Sequence, residues 1–83
     1  LRCDKKVSLR GGFFYEVKKS RYLYLCFHCQ KPILKGSFYV LERDLSGVSR
    51  RYHPECLEKT LGGRIKIKYV YERYSENVLL CVD

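Results

Sequence analysis

Cys26-Phe27-His28-Cys29, then 23 residues, then His53-Pro54-Glu55-Cys56: the fold of this chain turns on these two short stretches. Two residues between Cys26 and Cys29 let one tight turn present both side chains to the same point. His53 and Cys56 repeat that spacing. Zinc takes four soft or borderline donors in a tetrahedron, at about 2.3 Å from sulfur and about 2.0 Å from nitrogen. Two such pairs brought together by folding complete the shell. The first pair follows a short strand and the second opens a helix, an order common in zinc fingers. One structural zinc ion on Cys26, Cys29, His53 and Cys56 is therefore expected. His28 is the competing imidazole, but it lies inside the first turn, where side chains point away from the ion, so His53 is preferred.

Outward from the ligand pairs the chain reads as short strands and turns. Phe13 to Val17 is aromatic and β-branched enough for a strand, and Lys18, Lys19, Ser20 and Arg21 form a basic turn. Tyr22 to Leu25 is a short strand into the first ligand pair. Phe38 to Glu42 and Val48 to Tyr52 are strands joined at Ser46-Gly47. Pro54 suits the first turn of a helix, where its missing N–H costs nothing, so a helix is expected over Pro54 to Leu61. Gly62-Gly63 ends it. In Arg64 to Tyr71, Ile65, Ile67, Tyr69 and Tyr71 alternate with Arg64, Lys66 and Lys68, which is the period of a strand with one face turned inward. A turn around Ser75 to Asn77 and a last strand, Val78 to Val82, close a hairpin. The first twelve residues read as a basic arm ending at Gly11-Gly12.

The expected fold class is a small zinc-stabilised α+β domain. Its β-hairpins surround one Cys3His site, with one short helix after the second ligand pair. Residues 1–83 make a single domain, with a zinc-finger core over 13–62 and a C-terminal β-hairpin over 64–82. A chain of this length buries too little apolar surface to be stable on that alone, so a metal or disulfide staple is expected in advance. Cys3 and Cys81 remain after the ligands are assigned. They lie near opposite termini, which in small domains are often close in space. A disulfide between them and two unrelated thiols are both open, and the thiols are the safer reading.

Charge is the main functional clue. Seventeen Lys and Arg against nine Asp and Glu give a net +8. A small domain this basic tends to meet polyanions, nucleic acid first and an anionic membrane surface second. No run approaches the roughly 20 apolar residues of a membrane-spanning helix, and no apolar leader segment opens the chain, so no membrane partner and an intracellular setting are expected. Methionine is absent, and Gln30 and Asn77 are the only side-chain amides. Scarcity of thermolabile residues is a pattern of hot environments.

The Cys-x2-Cys…His-x2-Cys order resembles two groups. One is the first half of a LIM domain, which mediates protein contacts. The other is the zinc finger of poly(ADP-ribose) polymerases and of a related DNA ligase. The second resemblance runs past the ligands. Tyr15-Glu16-Val17-Lys18-Lys19-Ser20-Arg21, then Ile33, Lys35 and Gly36, then Arg51-Tyr52-His53, follow that finger's layout over about residues 13 to 60. The gap between ligand pairs is shorter here and no Trp precedes the histidine. The resemblance implies the fold sketch and a DNA-facing basic turn at Lys18, Lys19 and Arg21, without implying recognition of DNA breaks.

A closed Cys3His shell leaves no position for water, and no other acid–base or nucleophile constellation stands in for it, so an enzyme is not expected. Phosphate contacts are expected from Lys18, Lys19 and Arg21, from Arg50 and Arg51, and from Lys66 and Lys68 beside Arg64. Tyr22, Tyr24, Phe27 and Tyr52 are the aromatics able to stack on bases, and Phe27, in the knuckle turn, is the one expected outside the core. The expected partner is DNA, or RNA, bound with little sequence specificity. The alternative is a LIM-like protein-interaction adaptor that uses the Ile65, Ile67, Tyr69, Tyr71 face.

Overall fold

The computed structural model describes residues 2–83. Strands dominate: the chain is a compact β-rich domain with one seven-residue helix rather than an even α+β mixture. In order, the elements are β1 (Arg2–Asp4), β2 (Lys6–Leu9), β3 (Phe13–Lys19), β4 (Tyr24–Leu25), β5 (Pro32–Ile33), β6 (Phe38–Arg43), β7 (Ser49–Tyr52), α1 (Pro54–Thr60), β8 (Lys66–Glu72) and β9 (Ser75–Val82). They form a four-stranded antiparallel sheet in the order β2-β3-β6-β7, a three-stranded sheet in the order β1-β9-β8, and the two-stranded ribbon β4-β5.

The N-terminal segment is not an arm. β1 pairs with β9 at the far end of the chain, and β2 pairs with β3. Val7 and Leu9 supply an apolar alternation that the surrounding Lys and Arg obscure. Gly11-Gly12 does make the β2–β3 turn, with both residues at positive φ. A Cβ at Gly12 would stand 2.6 Å from Cδ1 of the exposed Leu45, a side chain free to swing aside, so it is the backbone conformation of this turn that requires glycine. Lys18 and Lys19 belong to the end of β3 rather than to a turn, because β3 keeps pairing with β6 as far as Lys19↔Phe38.

Alternation sorts the larger sheet into two faces. Tyr15, Val17, Val40, Glu42 and Tyr52 share one, and Lys18, Tyr39, Leu41, Arg43 and Arg51 the other. On the first face a buried carboxylate is satisfied internally. Tyr15 Oη donates to Glu42 Oε2 at 2.8 Å and Arg50 Nη1 donates to Glu42 Oε1 at 3.3 Å, with Tyr52 Oη 3.5 Å from the same oxygen. Burial and then hydrogen bonding to Glu42 push the Tyr15 hydroxyl well above the usual tyrosine range; burial and then the Glu42 charge push Tyr52 up to about 12. Both phenols favour the protonated form in the folded state. Their contribution to stability is therefore complete below pH 10, the ordinary tyrosine value, and is lost as pH rises through the folded values. Unfolding free energy measured by denaturant titration should fall by about 2 kcal/mol between pH 10 and pH 12 on account of Tyr52. Tyr52→Phe should remove that part of the slope, and an unchanged slope would refute the assignment.

The core joins both sheets and the helix. Val7, Tyr15, Val40 and Tyr52 belong to one cluster with Ile33, Leu57, Ile65 and Leu80. The β8–β9 hairpin forms as its alternation requires, with Ile67↔Leu80 and Tyr69↔Val78 in register. Its tip lies at Arg73-Tyr74, before the expected Ser75 to Asn77, because Arg73 takes the left-handed conformation (φ 51°) and the pairing runs on to Glu72↔Ser75. The four-residue inward face is only half realised. Ile65 is buried and Ile67 half-buried, but Tyr69 is exposed and Tyr71 is 72% exposed. Helix α1 meets this strand at Ile67 and Tyr69, where Glu58 accepts from the Ile67 N–H and Glu55 from the Tyr69 hydroxyl. Beyond Tyr69 the hairpin extends past the core.

Cys3 and Cys81 face each other across the β1–β9 ladder and form a disulfide. The expectation of two separate thiols is thereby corrected. The pairing spans 78 positions and depends on β1 being a strand at all.

Candidate metal centre

The two ligand pairs are built locally and then docked. β4 and β5 bracket the first pair, with Tyr24↔Ile33 and Leu25↔Pro32 in register. Within the loop, the Cys26 N–H donates to Lys31 O at 3.0 Å and the Gln30 N–H to Cys26 O at 2.9 Å. Gln30 takes φ 60°, the left-handed conformation that reverses the chain, and its side-chain amide donates to Phe27 O at 2.9 Å. The second pair sits at the start of α1. His53 is the N-cap residue, Pro54 occupies the first turn, and Cys56 follows within that turn. Three residues apart, His53 and Cys56 project to one side of the helix start.

Docking comes from the edge of β7. The Phe27 N–H donates to Arg51 O at 2.8 Å, and the His53 N–H approaches Cys26 Sγ at 3.4 Å. The result is a cluster in which the Cys26, Cys29, His53 and Cys56 donor atoms all lie within 4.8 Å of one another. His53 Nδ1 is 3.3 Å from Cys29 Sγ and 3.8 Å from Cys56 Sγ. A tetrahedral ion with zinc-like bond lengths would set such donors roughly 3.5–3.8 Å apart, so this cluster can hold a metal ion with little adjustment. The imidazole is oriented for it. His53 Nε2 lies 3.0 Å from Pro32 O, which can only accept, so Nε2 carries the hydrogen and the Nδ1 lone pair faces the thiols. The His53 side chain makes no capping bond to the helix, leaving its ring to the cluster. His28 is turned away, with Nδ1 3.0 Å from Thr60 Oγ1, as expected for a side chain inside the knuckle turn.

Electrostatics divides the thiols. Burial opposes ionisation of Cys26, but the N–H groups of Cys29, His53 and His28 outweigh it and bring the thiol down to about 6. Burial and the neighbouring Cys29 and Cys26 sulfurs push Cys56 up to about 12. Without a cation the cluster favours a thiolate on Cys26 and a protonated Cys56, and a bound dication would displace the remaining protons.

The basic residues named from the sequence do not all converge. Lys18, Lys19, Arg21 and Arg51 line one depression, together with Arg43, Tyr22, Tyr24, Tyr39 and Leu41. Arg43 went unnoticed in the sequence. Its signal was the alternation of Phe38–Arg43, which puts it on one face with Tyr39 and Leu41. A second depression continues along the sheet past Leu41 and Arg43 to Arg2 and Lys6. Arg50 points to the opposite face, bound to Glu42 and lying over the Phe27 ring at 4.8 Å. Phe27 lies outside the core as expected, 54% exposed, although Arg50 lies over its ring and Tyr52 packs edge-on at 5.9 Å. Lys66 and Lys68 are on β8, in the other sheet and outside this depression.

Taken together, fold and site define a small β-rich domain carrying a Cys3His cluster able to bind a metal. Comparison with protein-family models, with curated proteins and with solved structures finds no match for this chain. No helix among the described residues is long and apolar enough to cross a membrane.

Proposed function

We propose that this chain is a structural-zinc module that binds nucleic acid, with DNA favoured, mainly through phosphates and with little sequence preference. One observation carries the reading. Lys18, Lys19, Arg21, Arg43 and Arg51 converge on one depression beside the metal knuckle, and no carboxylate is among the described residues that line it. Such a surface neutralises phosphates and releases their condensed counterions, whatever the base sequence. Zinc is the metal that best suits three thiolates and one imidazole. Its role is to tie the knuckle to the helix start; with four protein donors no position is left for catalysis, and the module is not an enzyme. The finger type of poly(ADP-ribose) polymerases and the related ligase is the preferred kinship. The setting is intracellular. A lasting Cys3–Cys81 bond fits an interior of the disulfide-tolerant, hyperthermophilic kind, as does the scarcity of Met, Asn and Gln.

A second reading, the LIM-like adaptor, draws on exposed Leu23, Leu25 and Leu34 around the knuckle. It loses the Ile65 end of its expected surface, which is buried. Titration against duplex and single-stranded oligonucleotides at several salt concentrations separates the two. With about three to five phosphates neutralised, log affinity should fall against log salt with a slope of about −3 to −5 on a duplex and about −2 to −4 on a single strand. Lys18→Glu with Lys19→Glu should flatten the slope by about two and weaken all sequences alike. Absence of binding to either form at low salt would leave the adaptor as the surviving function.

A further inference from the structure

We infer that the depression beside the knuckle is a single-strand site, in which a base stacks on Tyr22 while Arg51 and Lys18 hold the adjoining phosphates. The inference rests on the nucleic-acid reading above and narrows its ligand class.

Three tyrosines form a ladder from the core to solvent. Tyr39 is buried, Tyr24 is half-buried with its ring centroid 5.6 Å away, and Tyr22 follows edge-on at 6.2 Å. Tyr22 is 67% exposed, so most of this ring contributes nothing to the core. Its backbone is nonetheless held firmly. Ser20 is buried and its hydroxyl donates to the Tyr22 carbonyl, while the Ser20 backbone bonds to Ser37 O and Gly36 N at 2.8 Å each. A ring presented at fixed height on a tied turn binds a flat partner with little ordering cost.

Arg51 supplies the second part. Its guanidinium lies over the Tyr24 ring at 4.0 Å and within 6.0 Å of Tyr39, and its Nε is buried with no hydrogen-bond partner. Among the described residues no carboxylate fixes it, in contrast to Arg50, whose Nη1 is spent on Glu42. A planar cation stacked on an aromatic floor and left without an anion is the arrangement that recognises a phosphate. Among the described residues Lys18 has one ion pair, with the half-buried Glu16 at 3.6 Å, a long contact that a phosphate can replace.

Geometry then favours one strand over two. Bases inside a duplex are stacked on each other and offer no face to a ring at the side of a groove, whereas an unpaired strand can turn a base onto Tyr22. Binding is measured with an oligo(dT) and an oligo(rU) of about 15 nucleotides and with a duplex of similar length. At moderate salt, oligo(dT) or oligo(rU) should bind at least about tenfold tighter than the duplex. The stronger of the two tells DNA from RNA. Tyr22→Ala should weaken the single strand about tenfold and leave the duplex unchanged, and Tyr22→Phe should restore it. Arg51→Lys, checked for an intact metal content, should also lose single-strand affinity, because ammonium keeps the charge but not the stacked plane. Equal affinity for duplex and single strand, or a Tyr22→Ala variant that binds like the parent, would overturn the inference while leaving phosphate binding standing. No binding to any of the three would overturn both.

Discussion

Removing the metal, or replacing Cys26 or Cys56 by Ser, is expected to unfold most of the domain. Structural zinc contributes on the order of 10 kcal/mol or more in small finger peptides, against roughly 5 to 15 kcal/mol for the whole stability of an ordinary domain. The contacts at risk here are specific. Cys26 is fully buried and belongs to the core cluster with Ile33, Leu57 and Ile65, so the knuckle and the helix start are part of the interior, not an appendage. Once the shell opens, the β4–β5 ribbon has two paired positions left, and α1 has seven residues, too few to be stable alone. The loss should be visible as collapse of near-ultraviolet circular dichroism on chelation, and metal analysis of the untreated protein should find one zinc per chain. A metal-free preparation with unchanged spectra would defeat the assignment. His28→Ala should retain its metal, since that ring faces Thr60.

Loss of the Cys3–Cys81 bond is expected to have the next largest effect. The bridge closes nearly the whole chain, with a sequence separation of 78, and the loop-entropy relation for such a span gives about 4.5 kcal/mol. β1 is three residues long and is hydrogen-bonded to β9 alone, so little else holds it. The double variant Cys3→Ser, Cys81→Ser is the cleaner test, because a dithiol reductant would also compete for the metal. Its denaturation midpoint should drop markedly while its zinc content stays at one. Mass analysis of the parent after alkylation under metal-free denaturing conditions should show two of the five cysteines protected. Five modified cysteines and an unaltered midpoint would show that the strand pairing, not the bond, carries the termini.

These effects also mark how far the sequence alone reaches. The Cys26, Cys29, His53, Cys56 cluster was legible because two residues between donors is a local constraint, satisfied within one turn of knuckle or helix. Pro54 announced the helix start for the same reason, and the alternation of Arg64 to Tyr71 announced a strand. The preference for His53 over His28 also followed from position within a turn. What the sequence could not supply was partnership across distance. Whether Val7 and Leu9 formed a strand depended on β3 being beside them, and Cys3 met Cys81 only because β1 pairs with β9 in that register.

The same limit governs the surface. Alternation places Tyr69 and Tyr71 with Ile65, but only packing decides that Ile65 is buried while Tyr71 is left exposed. Adjacent Arg50 and Arg51 look equivalent in sequence. The sheet sends one to a buried glutamate and the other to a stack of tyrosines. In the nucleic-acid reading proposed above, Tyr22 and not Phe27 is the ring offered to a base, because Arg50 lies over Phe27. Backbone periodicity and ligand spacing are properties of a few consecutive residues and can be read in order. Burial, charge pairing and the companions of an exposed ring depend on which distant segments pack together, and tertiary structure alone decides them.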